Sequence, residues 1–276
     1  MYPKLFGIEY FNMYGLCIGL GVIFCLWFLR FAGKKLNIPS KFINFVEYNA
    51  IISIVMGLLS GMLFQSFYNY LDNPEAGFHF SKDNITFMGG LIGGVTIFLL
   101  IYFLYGRKKF GAYLIRLLPI AACCILVAHG CGRIGCFCYG CCHGEVFKDA
   151  TLENHPLFTM DFPRVGWAYP TQLFEAMFLL FTFFVLGYFT VYKKFKYSMN
   201  IYLIAYGIFR FLIEFVRGDD RGSFIPGLTP SQFWAIIMIV MGILFMFIMP
   251  IIIKKYNIDF DYNPEKIQET EVVENN

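Results

Sequence analysis

The sequence predicts an all-α integral membrane protein with seven transmembrane helices. Composition is the first indication, since 58% of the 276 residues are hydrophobic and only 15% are charged, whereas about a quarter of the residues of a soluble protein are charged. Distribution is the second, because the apolar residues form seven runs that approach or exceed the roughly 17–25 residues needed to cross a bilayer. Clusters of lysine and arginine after every second run are the third.

The apolar runs are separated by polar segments that hold most of the charged residues. Residues 144–168 are too polar and irregular to span a membrane, and we expect a folded outer loop there. We expect one domain over residues 1–255 and a disordered polar cytoplasmic tail over residues 256–276. The predicted spans are Met13–Ala32, Val46–Leu71, Ile85–Tyr105, a run from about Tyr113 into a cysteine-rich segment, Thr171–Tyr192, Asn200–Val216 and Pro230–Ile253.

The basic clusters also predict the orientation of the chain. They follow the first, third, fifth and seventh spans, while the alternate loops are mixed or acidic. The positive-inside rule therefore places the N-terminus outside, on the periplasmic face, and the C-terminus in the cytoplasm. A net charge of +3, divided among short clusters, is too small to indicate a nucleic-acid partner.

The fourth span leads into His129–Gly144, which contains five cysteines, five glycines, two histidines and one arginine. An arginine at the centre of a membrane helix costs roughly 2.5–3.5 kcal/mol on insertion scales, so Arg133 is expected to bind an anionic group. His129 lies one helical turn earlier on the same face and is a candidate proton acceptor. The structural alternative is an arginine that extends to the interface and a histidine bonded to a carbonyl.

The sixth span carries a second charged group. Arg210, Glu214 and Arg217 are spaced at i, i+4 and i+7, which predicts one stripe facing the bundle, with Glu214 paired to Arg210. Two arginines around one carboxylate leave a positive excess that suits a phosphodiester. A structural helix clamp is the alternative, because a buried ion pair alone says little about activity.

Three further features have both a structural and a functional interpretation. Gln172 and Glu175 share a face of the fifth span and predict a polar lining, although Pro170 beside them indicates a helix start. Tyr14 is either an interfacial anchor or a hydroxyl donor to the site. The glycines of Phe87–Gly94 most simply allow close helix packing.

Two familiar patterns are discounted. The glycines of the fourth span match G-x-G-x-x-G, but no strand–turn–helix unit surrounds them, so no dinucleotide cofactor is expected. A metal or redox site is the other alternative, and since C-x-x-C occurs once with no second pair elsewhere, no metal or other cofactor is predicted. The candidate ligands of such a metal or redox site are Cys136, Cys138, Cys141, Cys142 and His143.

Together these motifs resemble those of the bacterial prolipoprotein diacylglyceryl transferase family, over nearly the whole chain. The resemblance implies an inner-membrane, multi-pass transferase that moves diacylglycerol from phosphatidylglycerol to the lipobox cysteine of a prolipoprotein signal peptide. That reaction forms a thioether and releases glycerol phosphate. The matching segments are Gly132–Phe137 with Gly144, Tyr14–Leu16, Gly89–Gly93, Pro170–Glu175 and Tyr206–Arg217.

The resemblance implies site roles for Arg133, Arg210, Glu214, Arg217 and Tyr14, which match polar positions of the family, and the spacing of the residues adds the others. The expected catalytic residues are His129, Arg133, Arg210 and Glu214. The expected substrate-binding residues are Arg133, Arg210, Arg217, Tyr14, Gln172, Glu175, Gly89, Gly90 and Gly144.

The sequence departs from the family pattern where the family has polar residues. Met88 replaces the family's usual histidine before the paired glycines, and Tyr169 replaces the histidine that often precedes the Pro-Thr-Gln segment. Cys136 replaces an asparagine, and Cys141 replaces an acidic residue. His129 is therefore the candidate replacement base. A protein of the same fold that uses another acceptor, or has lost activity, is the nearest alternative, and a cysteine-rich metal or redox membrane protein is the other.

Overall fold

The computed structural model describes residues 12–80, 86–111, 113–163, 165–217 and 227–260. Within these ranges seven helices are long and apolar enough to cross a membrane. The predicted fold class, an all-α protein with seven spans, is therefore confirmed. The orientation of the termini stays a prediction.

The helices agree with the predicted spans and differ mainly at their ends. The helix α2 begins six residues before the predicted start because its first turns, which include Lys41, are polar enough to escape a hydropathy pattern. A π-helical turn, Tyr102–Gly106, and a helical turn, Arg107–Phe110, continue α3. The helices are α1 Met13–Lys35, α2 Ser40–Asp72, α3 Phe87–Ile101, α4 Tyr113–Tyr139, α5 Thr171–Tyr192, α6 Ser198–Ile213 and α7 Pro230–Lys255.

The chain forms two compact units. One comprises residues 1–37 and 116–276 and contains α1, most of α4, and α5 to α7, while the other comprises residues 38–115 and contains α2 and α3. The prediction of one domain over residues 1–255 stays a prediction. So does the disordered tail over residues 256–276, of which residues 261–276 lie outside the described part of the chain.

Small residues set the packing of α2 against α3. A Cβ atom at Gly93 would lie 2.3 Å from the Cβ and Oγ atoms of Ser60, and one at Gly57 would lie 2.9 Å from the carbonyl oxygen of Gly90. The Ser60 hydroxyl also donates a hydrogen bond of 2.9 Å to the carbonyl of Gly89. The predicted use of these glycines for close helix packing is confirmed.

In the unit that contains α1 and α4 to α7, two glycines bring α6 and α7 into close contact. A Cβ atom at Gly207 would lie 2.9 Å from the carbonyl oxygen of Ala235, and one at Gly242 would lie 3.1 Å from that of Asn200. Dispersion and close backbone contact, rather than the hydrophobic effect, hold such helices together in lipid. This contact fixes the register of α6, which carries part of the site described below.

The predicted outer loop, residues 144–168, contains a small antiparallel sheet. Its strands are β1 (Val146–Phe147), β2 (Met160–Phe162) and β3 (Gly166–Ala168), in the spatial order β1-β3-β2. Ala168 pairs with both Val146 and Met160. The loop thus returns the chain from the end of α4 to the start of α5 along a fixed path.

Large apolar side chains cover the outer faces of the helices. Phe247 is 70% exposed and Phe181 is 69% exposed. A soluble protein rarely leaves so many large apolar groups uncovered. These surfaces suit contact with lipid, as the seven apolar spans require.

Gly93→Ala should destabilise the packing of α2 against α3. The added Cβ collides with Ser60, whose Cβ cannot rotate away, and overpacking of this kind costs about 1–3 kcal/mol. We expect a lower midpoint when detergent-solubilised protein is heated and the monodisperse fraction is measured by size-exclusion chromatography.

Gly19→Ala is the matched control, because a Cβ atom at Gly19 would meet nothing within 4 Å. An alanine in a helix interior is favoured over glycine by roughly 1 kcal/mol, so this variant should keep or raise the midpoint. Equal midpoints for the two variants would contradict the packing described here.

Candidate active site

A buried carboxylate, Glu175 in the first turns of α5, is the centre of the polar cluster. Its side chain is 1% exposed, and the Nε atom of Arg133 lies 2.9 Å from its Oε2 atom. The Tyr206 hydroxyl donates a hydrogen bond of 2.7 Å to its Oε1 atom. The Nε2 atom of His129 lies 3.5 Å from the same oxygen. Three groups on α4 and α6 thus compensate one buried negative charge.

His129 and Arg133 share a face of α4, as their spacing predicted. Both reach Glu175, and the His129 ring also meets the Tyr206 ring edge-on, with centroids 5.1 Å apart at 72°. The structural alternatives for this pair, a side chain extending to the interface and a histidine bonded to a carbonyl, do not describe these contacts. His129 faces a carboxylate that can orient its ring.

A second ion pair lies near the end of α6. The Nη1 atom of Arg210 is 2.9 Å from the Oε2 atom of Glu214, so the pairing expected from the i, i+4 spacing is confirmed. The Nη2 atom of Arg210 donates a hydrogen bond of 2.7 Å to the Ser231 hydroxyl. The Thr229 hydroxyl donates one of 3.0 Å to the Oε1 atom of Glu214. The beginning of α7 therefore holds both members of the pair.

Thr229 is also the N-terminal cap of α7. Its hydroxyl accepts a hydrogen bond from the backbone N–H of Gln232, and the Gln232 side chain accepts one from the N–H of Thr229. This reciprocal capping box satisfies backbone donors that a helix start would leave unpaired. It fixes the hydroxyl that binds Glu214.

The two charged pairs belong to one electrostatic site. Tyr206 and Arg210 are one turn apart on α6 and so lie on the same face. The positive charge of Arg210 acts on both Glu175 and His129. Arg133 and Arg210, from α4 and α6, thus influence the same buried carboxylate.

The prediction that Arg217 continues the stripe of α6 is wrong. The α-helix ends at Ile213, a 3₁₀ turn covers Glu214–Val216, and Arg217 follows with extended backbone angles, φ −90° and ψ 126°. The tighter turn rotates the later positions away from the i+7 row. The Arg217 charge acts instead on the thiol of Cys142.

Gly144 is required by close approach of three chain segments. A Cβ atom there would lie 2.5 Å from the carbonyl oxygen of Val216 and 2.8 Å from the Thr171 Cγ2 atom. Its N–H donates a hydrogen bond of 2.7 Å to the carbonyl of Tyr169, and the next N–H, of Glu145, donates to Val216. Gly144 therefore joins the ends of α4 and α6 to the start of α5.

The remaining predicted residues occupy different places. Gln172 is completely buried, and neither atom of its amide group has a hydrogen-bond partner among the described residues. The Tyr14 side chain is 39% exposed and packs beside Gly135. Gly89 and Gly90 belong to the other compact unit, in the contact of α3 with α2.

Three of the five cysteines in His129–Gly144 lie together. The Sγ atoms of Cys136, Cys141 and Cys142 are all within 4.8 Å of one another. Cys138 and His143 are not in this group; the Nδ1 atom of His143 lies 3.0 Å from the carbonyl oxygen of Gly144. The neighbouring thiols hold the pKa of Cys142 below its usual value, because they donate hydrogen bonds to its thiolate, and the arginine charges act in the same direction.

The site has a net positive charge. Arg133, Arg210 and Arg217 contribute three positive charges, and Glu175 and Glu214 contribute two negative charges, which leaves one positive charge when His129 and the cysteine thiols are neutral. Tyr206, Thr229 and Ser231 were missed as site residues. A hydroxyl gives no charge signal in a sequence, although Tyr206 precedes Arg210 by one helical turn.

Comparison with known proteins agrees with the motifs. The family model described as "Prolipoprotein diacylglyceryl transferase" matches residues 3–248. A Clostridium tetani protein named phosphatidylglycerol–prolipoprotein diacylglyceryl transferase is 33% identical over 248 residues, which cover 87% of this chain and 93% of that protein.

Two other relatives have similar names. A Clostridium perfringens protein named phosphatidylglycerol–prolipoprotein diacylglyceryl transferase 2 is 30% identical, with 87% of this chain and 91% of its own length covered. A Pseudoalteromonas translucida protein with the first name is also 30% identical, over 87% of this chain and 90% of its length. Since the family match extends over nearly the whole chain and all seven spans are present, the chain belongs to the prolipoprotein diacylglyceryl transferase family.

Proposed function

We propose that this protein transfers the diacylglyceryl group of phosphatidylglycerol to the lipobox cysteine thiol of a prolipoprotein signal peptide. The products are a thioether-linked lipid on the protein and glycerol phosphate. The family and the names of the relatives support this reaction. The proposal places the protein in the bacterial inner membrane, with its N-terminus outside and the lipid bilayer as its surroundings.

One observation carries the proposal: Arg133 and Arg210, from two helices, are each held by a buried carboxylate, and with Arg217 the arginines exceed these carboxylates by one charge. Arg133 contacts Glu175 directly, and Arg210 acts on it from one turn beyond Tyr206. Guanidinium groups bind phosphate oxygens through charge-assisted hydrogen bonds. Glu175 orients Arg133 and keeps it inside the membrane-spanning region, and the remaining positive charge receives the lipid phosphate.

The reaction itself needs two kinds of assistance. The acceptor sulfur attacks a glycerol carbon as the C–S bond forms, and the carbon–oxygen bond to phosphate breaks with its electron pair going to the phosphate oxygen. Arg133 and Arg210 stabilise the charge that develops on the leaving phosphate. The thiol must also lose its proton, and His129, oriented by Glu175, is the proposed acceptor among the polar groups of the cluster.

The unpaired amide of Gln172 supports a further contact. A buried amide with no partner costs about 1–3 kcal/mol, so a polar headgroup that bonds to it gains affinity. Arg217, Tyr14, Gly89, Gly90 and Gly144 are proposed as additional substrate contacts on the basis of the family motifs.

The most direct experiment combines purified protein with vesicles of phosphatidylglycerol and a lipobox peptide. Transfer is measured as the mass gain of the peptide, with release of glycerol phosphate. A peptide whose lipobox cysteine is replaced by serine is the control. No mass gain on the cysteine peptide, together with failure to complement a bacterial strain depleted of the transferase, would favour an inactive protein or one with another acceptor.

Glu175→Gln should lower the transfer rate by at least about 100-fold, in the range seen when one preorganised electrostatic group is lost. The neutral amide can no longer hold Arg133 and His129 in place, and the buried charge of Arg133 loses the carboxylate that compensates it. Steady-state peptide lipidation measures the effect. Glu153→Gln, at an exposed loop position, is the control and should keep the wild-type rate.

Arg133→Lys tests whether the guanidinium group, and not only its charge, is needed. Lysine is a compact point charge and cannot form two parallel bonds to a phosphate. We expect a rate loss of roughly 10²–10³-fold, while Arg107→Lys, exposed at the end of the third span, has no effect. If the Arg133 variant kept the full rate, Arg133 would not be a phosphate ligand.

His129→Ala should abolish transfer and leave the protein folded, because the imidazole is the proposed proton acceptor. Loss of general-base assistance costs about 10²–10⁴-fold. Lipidation and the elution profile in size-exclusion chromatography are measured on the same sample, with the exposed loop variant His79→Ala as control. Full activity would remove His129 from the mechanism.

A further inference from the structure

The end of α4 reverses the chain through a glycine. Gly140 has φ 79°, a left-handed conformation that glycine adopts without strain. The N–H of Cys141 donates to the carbonyl of Cys136, and the N–H of Gly140 donates to that of Phe137. These two bonds are those of a Schellman motif. Because of this turn, Cys141 and Cys142 fold back over Cys136, which lies one turn inside the helix.

The three thiols then have the geometry of an incomplete thiolate metal site. Their Sγ atoms lie within 4.8 Å of one another. In a tetrahedral zinc site with Zn–S bonds of about 2.3 Å, neighbouring sulfurs are about 3.8 Å apart, so shifts of about 1 Å or less would bring all three to a common ion.

The backbone holds this arrangement in place. Cys142 has φ 63°, a left-handed conformation that is uncommon for a residue other than glycine. Its carbonyl accepts a hydrogen bond of 3.0 Å from the Thr171 hydroxyl at the start of α5. Strained, fixed backbone of this kind is concentrated at functional sites.

The surrounding charges favour a bound ion. Three thiolates and one divalent cation carry a net charge of −1, and Arg133 lies one helical turn before Cys136 on the same face of α4. Thiolate is the form that binds metal, and a metal ion displaces the thiol protons as it binds. An ion at this position is therefore next to the proposed phosphate-binding arginines.

We propose that Cys136, Cys141 and Cys142 bind one zinc ion, and that its fourth coordination position receives the acceptor cysteine thiol. Three protein ligands with one open position are typical of catalytic zinc sites. The metal site is independent of the reaction, whereas the role of the fourth position rests on the proposed function.

The step balances in atoms and charge. The acceptor thiol binds the ion and releases its proton to His129, the proposed acceptor, since a thiol coordinated to zinc is deprotonated. The bound sulfur then forms the C–S bond to the glycerol carbon as the phosphate leaves with the electron pair of the broken C–O bond. The thioether is a weaker ligand than a thiolate, so the product leaves the ion and the position reopens.

Metal binding is tested first, without any assay of activity. Full-length protein purified in detergent under reducing conditions is stripped with a chelator and titrated with Zn²⁺ and with Co²⁺. We expect one ion per chain and, with Co²⁺, a sulfur-to-cobalt charge-transfer absorption. Cys136→Ser, Cys141→Ser and Cys142→Ser should each weaken binding by more than the roughly 10–100-fold that loss of an outer-shell partner costs.

Cys138→Ser is the matched control. Cys138 lies in the same helix and is similarly half-buried, but its sulfur is not in the cluster. It should bind Zn²⁺ and Co²⁺ like the unmodified protein. No binding by the unmodified protein, equal loss in the Cys138 variant, or a disulfide between two of the three cysteines in protein purified without oxygen would each overturn the metal site.

The role of the fourth position is tested by adding a lipobox peptide to the Co²⁺ protein and by comparing transfer in stripped and Zn²⁺-loaded protein. We expect the peptide, but not its serine variant, to change the cobalt spectrum, and stripping to slow transfer at least 100-fold and reversibly. Full transfer by stripped protein would refute this role and leave the proposed function intact. A loaded protein that shows the spectral change but never transfers lipid would instead refute the proposed function.

Discussion

The compensation of one buried carboxylate determines the arrangement of the whole polar cluster. Glu175 lies in an apolar helix bundle, where an unpaired charge is strongly unfavourable. It is tolerated because α4 supplies Arg133 and His129 and α6 supplies the Tyr206 hydroxyl. Arg133 in turn needs Glu175, since an unpaired arginine in this environment is also costly. The position of α5 relative to α4 and α6 is thus tied to electrostatics as well as to packing.

The functional side chains lie on helices whose positions are also fixed by packing contacts outside the polar cluster. Gly207 and Gly242 set the distance between α6 and α7, while the small sheet and Gly144 join the end of α4 to the start of α5. Arg133 and Arg210 are carried by α4 and α6, the helices that these contacts fix. A phosphate bound there would meet charges that are already oriented, which is how a rigid site stabilises developing charge without having to reorganise.

Sequence patterns predicted the features that depend on local spacing. The seven spans follow from apolar runs, and the pairing of Arg210 with Glu214 follows from one helical turn. The partners of Glu175 could not be predicted, because they come from helices distant in the chain. The stripe through Arg217 was wrong, because the helix tightens before it. The cysteine cluster was not predicted from the C-x-x-C spacing, because the left-handed Gly140 brings together cysteines that do not have that spacing.

Thr229 links two parts of the structure through a single hydroxyl group. The oxygen accepts the bond that caps α7, and its only proton goes to Glu214. The start of the last helix and the orientation of Arg210 therefore cannot vary independently during evolution. Insertions or deletions between α6 and α7 preserve the cap of α7 and the bond to Glu214 only when they fall before Thr229. Changes of length in that connection then leave the charged pair unaltered.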